Sequence, residues 1–191
     1  MPTPPSPAAL EEYRALRATI RERGTARLAI AAFTFVSWAA LAVAVRAFLT
    51  QPVATLVPLL VLVAGFEVVF TLHIGVERVG RYLQVYFEPA DDEPPAWERT
   101  LMRFARDPAA RRGAPDPLFA GLFVLAAILN VANTGLLSVE SEATVLGMAV
   151  ELAVFGLLHL VFLMRVAQAR RLARDQREAD LAYFQRGRTG P

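Results

Sequence analysis

The chain has 191 residues, 55% of them hydrophobic, with no cysteine and a formal net charge of +2. The missing cysteine excludes disulfides, thiolate metal sites and cysteine nucleophiles. The apolar residues fall in long blocks rather than at amphipathic spacing, which excludes an ordinary soluble domain and marks an integral membrane protein.

The first 27 residues are polar and charged, and no apolar stretch followed by a small-residue cleavage site is present, so no cleavable signal peptide is expected. Ser6-Pro7 reads as an N-cap and first-turn proline. The pair opens an amphipathic helix through Leu10, Tyr13, Leu16 and Ile20 that is expected to close at Gly24. The first apolar span follows, Leu28 to Val45, bounded by Arg27 and Arg46.

After Pro52 the second span runs Val53 to Val76 and carries Glu67 and His73. Its helical periodicity continues through Tyr82, Val85 and Tyr86 as far as Pro89. Ala90 to Pro95 is an acidic, proline-rich linker, and Trp97, Leu101 and Phe104 then form an apolar stripe expected at a membrane interface. Asp116-Pro117 is a second cap-and-proline pair, predicted to open span three, Leu118 to Val139, with Asn130 and Asn133 inside it. Span four, Ala143 to Met164, carries Glu151 and His159. It continues through Leu172, Leu181 and Phe184 to Gly187, with Arg171–Asp175 and Arg174–Glu178 placed as supporting pairs along the helix.

Each span is long enough to cross a hydrocarbon core of about 30 Å at 1.5 Å per residue. Lipid cannot satisfy exposed backbone amides, so the spans must be helices. The predicted fold is an all-α, up-down-up-down four-helix membrane bundle with cytoplasmic helical extensions and an N-terminal amphipathic helix. Its segments are residues 1–26 (cytoplasmic helix), 27–76 (first hairpin), 77–116 (extension, linker and interfacial helix), 117–166 (second hairpin) and 167–191 (helical tail). None of the polar segments is long enough by itself to bury a core.

Every cation is arginine, and nineteen of the twenty lie before span one, between spans two and three, or after span four. The connections Ala47–Pro52 and Ser138–Glu142 hold none. The positive-inside rule then places both termini in the cytoplasm of a bacterial-type plasma membrane. Arg46, the exception, lies close enough to the far interface to snorkel. Arginine without lysine reflects codon pressure rather than nucleic-acid binding, and Trp97 with Arg99 and Arg103 reads as an interface anchor. The two halves echo one another weakly: Glu67, His73, Arg78 and Glu151, His159, Arg165.

Ionisable and amide side chains inside a span are costly, which singles out Glu67, His73, Glu77, Asn130, Asn133, Glu151 and His159. His73 and His159, at similar depth on parallel spans, suit the axial ligands of a b-type haem. His73, Glu77 and His159 would supply two imidazoles and a carboxylate to a divalent metal. Glu151, Glu67, His73 and Glu77 step through the bilayer as a proton or cation path would. The simpler reading makes them interhelical hydrogen-bond partners, Glu151 with Asn130 or Asn133 and Glu67 with Thr34 or Ser37. No phosphate loop, nucleophile elbow or HExxH motif occurs. The expected function is a non-enzymatic subunit, assembly factor or self-associating scaffold whose cytoplasmic helices meet a protein partner. The alternative is an ion or proton path, or a haem or metal centre, on the intramembrane Glu and His residues.

Overall fold

A computed structural model describes residues 6–49, 51–88, 97–107, 119–140 and 144–189. They form five α-helices, with no strand among the described residues: α1 Pro7–Phe48, α2 Leu56–Tyr86, α3 Trp97–Arg106, α4 Ala120–Glu140 and α5 Val145–Thr189. A 3-10 turn, Pro52–Thr55, precedes α2. The four long helices are each apolar enough to cross a bilayer, so the chain is an all-α, multi-pass membrane protein. The residues divide into two compact units, an apolar one (27–70 and 116–171) and a charged one (1–26, 71–115 and 172–191).

In the apolar unit a helix face is read directly from the sequence. Leu59, Leu62, Phe66 and Val69 recur on one side of α2 and are buried against Ala31 of α1, Phe123, Ala126 and Ala127 of α4, and Phe162, Val166 and Ala169 of α5. Phe66 is the centre of this core. Its ring meets Phe123 edge-on at 5.2 Å and Phe162 at 5.9 Å, the geometry that aromatic quadrupoles favour. The opposite faces are apolar and open: Phe33, Val36 and Val43 on α1 and Leu157, Leu160 and Val161 on α5 point outward, toward lipid.

Two helix ends depart from expectation. α1 does not close at Gly24 but runs unbroken for 42 residues, so the N-terminal amphipathic helix and span one are a single element. A lone helical glycine costs only about 1 kcal/mol relative to alanine; a break there would orphan a set of backbone groups on each side. Ser6 caps α1 as predicted, its Oγ accepting from the Ala9 amide at 3.2 Å. Asp116 and Pro117 lie outside the described residues; α4 begins at Ala120, after Phe119 in the left-handed region with φ of 51°. The linker 90–95 also lies outside them. α2 ends at Tyr86 and α5 reaches Thr189, as the periodicity of each predicts.

The three polar segments, each too short to enclose a core, pool one. In the charged unit Tyr82 packs on Tyr86 at 4.6 Å, on Phe87 at 6.2 Å and on Phe184 at 5.5 Å, and Tyr13 meets Phe87 at 5.6 Å. α3 is held at its start by Glu88, whose carboxylate accepts from the Glu98 amide at 2.5 Å and the Arg99 amide at 2.9 Å. Two otherwise unpaired amides are thereby capped by an anion at the positive end of the helix.

In the apolar unit α1 and α2 come close together where Gly65 faces Thr34. A Cβ at Gly65 would overlap the Thr34 side chain, Cβ included. Gly65→Ala is therefore expected to lower stability by about 1–3 kcal/mol, the usual cost of overpacking. Thr34→Gly in the same chain should recover part of the loss, less the helix cost of a glycine. The check is the thermal midpoint in detergent; an unchanged midpoint for Gly65→Ala would disprove the close approach.

Candidate functional site

Among the described residues two buried polar networks stand out, one in each unit. In the apolar unit, Asn130, Thr134 and His159 are buried to within 1% of full burial, as is Thr55. Thr55 and Thr134 share a hydroxyl–hydroxyl hydrogen bond at 2.8 Å. The Asn130 amide nitrogen donates to the Thr55 carbonyl at 3.0 Å and meets His159 Nε2 at 2.9 Å. His159 Nδ1 lies 2.7 Å from the Phe155 carbonyl.

The carbonyls settle the proton positions. Phe155 O can only accept, so Nδ1 carries the proton; Thr55 O can only accept, so the atom of Asn130 facing it is the amide nitrogen. Nε2 then accepts from Asn130, and the imidazole is the neutral Nδ1–H tautomer. Neither ring nitrogen is free to ligate an iron without giving up one of these bonds. The 3-10 turn supplies Thr55 because it packs beside α4 at Thr134, six residues before the end of that helix. That is about 9 Å along the axis.

The expected partner of Asn130, Glu151, is not the one found: the amide is spent on His159 and Thr55. Glu151 Oε2 is buried with no hydrogen-bond partner, and so is Asn133 Nδ2. Glu67 likewise pairs not with a hydroxyl but with Arg165, through Nε at 2.7 Å and Nη2 at 2.7 Å. Thr34 donates instead to the Ile30 carbonyl at 2.7 Å. A backbone carbonyl one turn back satisfies a threonine hydroxyl within its own helix, whereas a carboxylate gains more from a two-pronged arginine.

His73 is buried in the charged unit, where it has an interaction of its own. Among the described residues, no three His, Asp or Glu side chains group as a metal site. Glu77 is paired, with Arg177 at 2.8 Å and with Arg81 at 4.0 Å. The pairs expected along α5, Arg171–Asp175 and Arg174–Glu178, are fully exposed side chains. Two other charges of α5 reach across to α2, Arg177 to Glu77 and Asp180 to Arg78 at 3.3 Å.

The core of the charged unit is Arg81, 1% exposed although it is an arginine. Its guanidinium donates to Gln84 Oε1 at 2.6 Å and faces Glu98 at 3.5 Å. Glu98 also takes Arg17 at 2.6 Å, and Arg17 in turn donates to the Tyr13 hydroxyl at 3.0 Å. One chain of charges, Arg17–Glu98–Arg81–Glu77–Arg177, thus joins α1, α3, α2 and α5. Burial pushes the Glu98 carboxyl above its ordinary range, outweighing the opposite pull of Arg17 and Arg81.

α3 is oriented by this network. Glu98 and Met102 point inward and are buried, while Trp97, Leu101 and Phe104 are exposed. The apolar stripe is thus the outer face of the helix.

Sequence reading singled out Glu77, whose place four residues before Arg81 offers the pairing found, but missed the burial of Arg81 and the parts played by Glu98, Glu88 and Arg17. One signal was present: Glu98 and Met102, four apart, form the face of α3 opposite the apolar stripe. Nothing in the sequence marks which of seven arginines between spans two and three would be buried. No protein-family model, no curated protein and no solved structure matches the chain.

Arg81→Ala would strand Glu98 as a buried charge with one remaining partner, and a loss of about 3–5 kcal/mol is expected. Glu98→Gln, which keeps an acceptor for Arg17 and removes a carboxylate that burial disfavours, should be milder. Arg81→Met with Glu98→Gln should fall between them. Unfolding of each variant in one detergent measures the order; equal losses for the two single changes would contradict it.

Proposed function

We propose that the protein is a non-enzymatic membrane component, a subunit or assembly factor, that meets a protein partner through its charged helical unit. In this reading both termini face the cytoplasm of a bacterial-type plasma membrane, supported by nineteen of twenty arginines on one side of the spans. The observation that carries the reading is the state of the intramembrane polar groups. His159 has both ring nitrogens engaged, and Glu67 is held by Arg165. These two side chains, which a haem, a metal or a conducted ion could use, are held by other groups of the protein.

The charged unit supports the partner role. Its interior is locked by ion pairs from four helices, so it presents a fixed outer surface. Along α5 that surface carries Arg174, Asp175, Glu178 and Tyr183, all exposed. Mixed charge around an aromatic residue is the composition of a protein-binding face rather than of a nucleic-acid groove. Trp97, Leu101 and Phe104 suit the bilayer interface, where they would steady the unit.

A second reading, a proton or cation path, draws on one observation: the buried Glu151 Oε2 without a hydrogen-bond partner. Glu151→Gln separates the two. If Glu151 is only a structural group its replacement is mild; if it is a carrier its replacement abolishes flux in vesicles while sparing the fold.

An absorption spectrum and metal analysis of the purified protein in detergent tests the main reading, with no Soret band and no stoichiometric metal expected. A Soret band, or a metal lost in His73→Ala, overturns it. Reporter fusions at Pro191 and at Gln51 should report cytoplasm and the far side respectively; the reverse pattern overturns the orientation.

A further inference from the structure

The ion pair between Glu67 and Arg165 is open on one side. The Glu67 side chain is 41% exposed and that of Arg165 30%. Both belong to the apolar unit, and the exposed side chains around them are Val68, Val161 and Met164. Glu67 lies twelve residues beyond Thr55, about 18 Å along α2 and inside a hydrocarbon core of about 30 Å, and the pair holds Arg165, the residue that ends the apolar run of α5, at the same depth. Charge facing acyl chains at that depth is costly, and the usual relief is for a long side chain to reach the headgroups. Arg165 is not free to do so. Two of its nitrogens are bonded to Glu67, and its guanidinium lies 4.9 Å from the centre of the Phe70 ring. Its Nη1 is buried and has no acceptor among the described residues, so the open side of the pair is the Glu67 carboxylate with the rest of the guanidinium. The pair is fixed in place and needs a cover.

We infer that a second copy of this chain covers it, the two copies meeting at this patch about a two-fold axis. The charges choose the occupant. The patch carries one anion and one cation side by side, so rotation about a two-fold axis sets the carboxylate of each copy against the guanidinium of the other. Four charges then alternate, and a self-complementary patch is what an isologous contact requires. An anionic lipid headgroup would suit Arg165 but face the Glu67 carboxylate, and a partner of single sign would leave one charge unmatched. In the membrane, polar contacts of this kind join helices that have no hydrophobic reason to associate. The inference does not depend on docking through the charged unit.

The absence of cysteine makes the test direct. Single cysteines at Val68 and Val161 should form disulfide-linked dimers in vesicles, and one at Phe33, exposed on α1, should not. Single-molecule counting in vesicles should find wild type dimeric, and Glu67→Gln with Arg165→Gln should weaken dimerisation by roughly tenfold with helix content retained. Charge reversal supplies the sharper arm. Chains carrying Glu67→Arg and chains carrying Arg165→Glu should each be monomeric alone and should pair with one another when mixed. Wild type that stays monomeric, dimers indifferent to neutralisation, equal cross-linking at Phe33, or an anionic lipid held by monomeric wild type through Arg165 would each overturn the inference. A monomer would leave the partner reading standing; a Soret band would remove that reading and leave the dimer standing.

Discussion

A polar group shut away from water must find its partner inside the protein, and in this chain that requirement acts twice. Hydrocarbon offers no hydrogen bond at all, so the spans are helical, and polar side chains such as Asn130, His159 and Glu67 are bonded to neighbours. Asn130 shows how far this goes. Its single amide nitrogen serves the Thr55 carbonyl on one hairpin and His159 on another helix. Three elements are brought into register by one residue, and the tautomer of the histidine follows from the same contacts.

The charged unit meets the same requirement by a different route. Its three segments are rich in arginine and glutamate, and their helices can only pack together if some of those charges are buried. Arg81 goes to the centre, and Glu98, Glu77 and Gln84 gather round it. Such a network is weak as a source of stability, because desolvation of each ion offsets most of the attraction. Its effect is on arrangement. With Glu98 held by Arg17 and Arg81, α3 can present only one face outward, and that face is Trp97, Leu101 and Phe104. Gly80 belongs to the same design, since a Cβ there would meet Glu98 Oε2 at 2.7 Å.

The two networks bear on function in the same sense. Each places buried polar groups against one another. What remains outward is a mixed-charge surface on α5, an apolar stripe on α3 and a half-open ion pair at Glu67 and Arg165.

The sequence by itself determined the all-α class, the four spans and the continuation of α2 and α5 past them, because block hydropathy and the helical period are local properties that lipid enforces. It also singled out Glu67, Asn130 and His159, since a polar residue in an apolar run stands out wherever it lies. Their partners were decided only by tertiary structure. Glu67 takes Arg165 from 98 residues away rather than a nearby threonine, and Asn130 takes His159 rather than Glu151. Helix rotation and the offset between hairpins set those pairings, and neither is written in the spacing along one strand of sequence. Arg81 is the clearest case. Seven arginines share its segment, and only the packing of four helices around one of them selects the arginine that is buried.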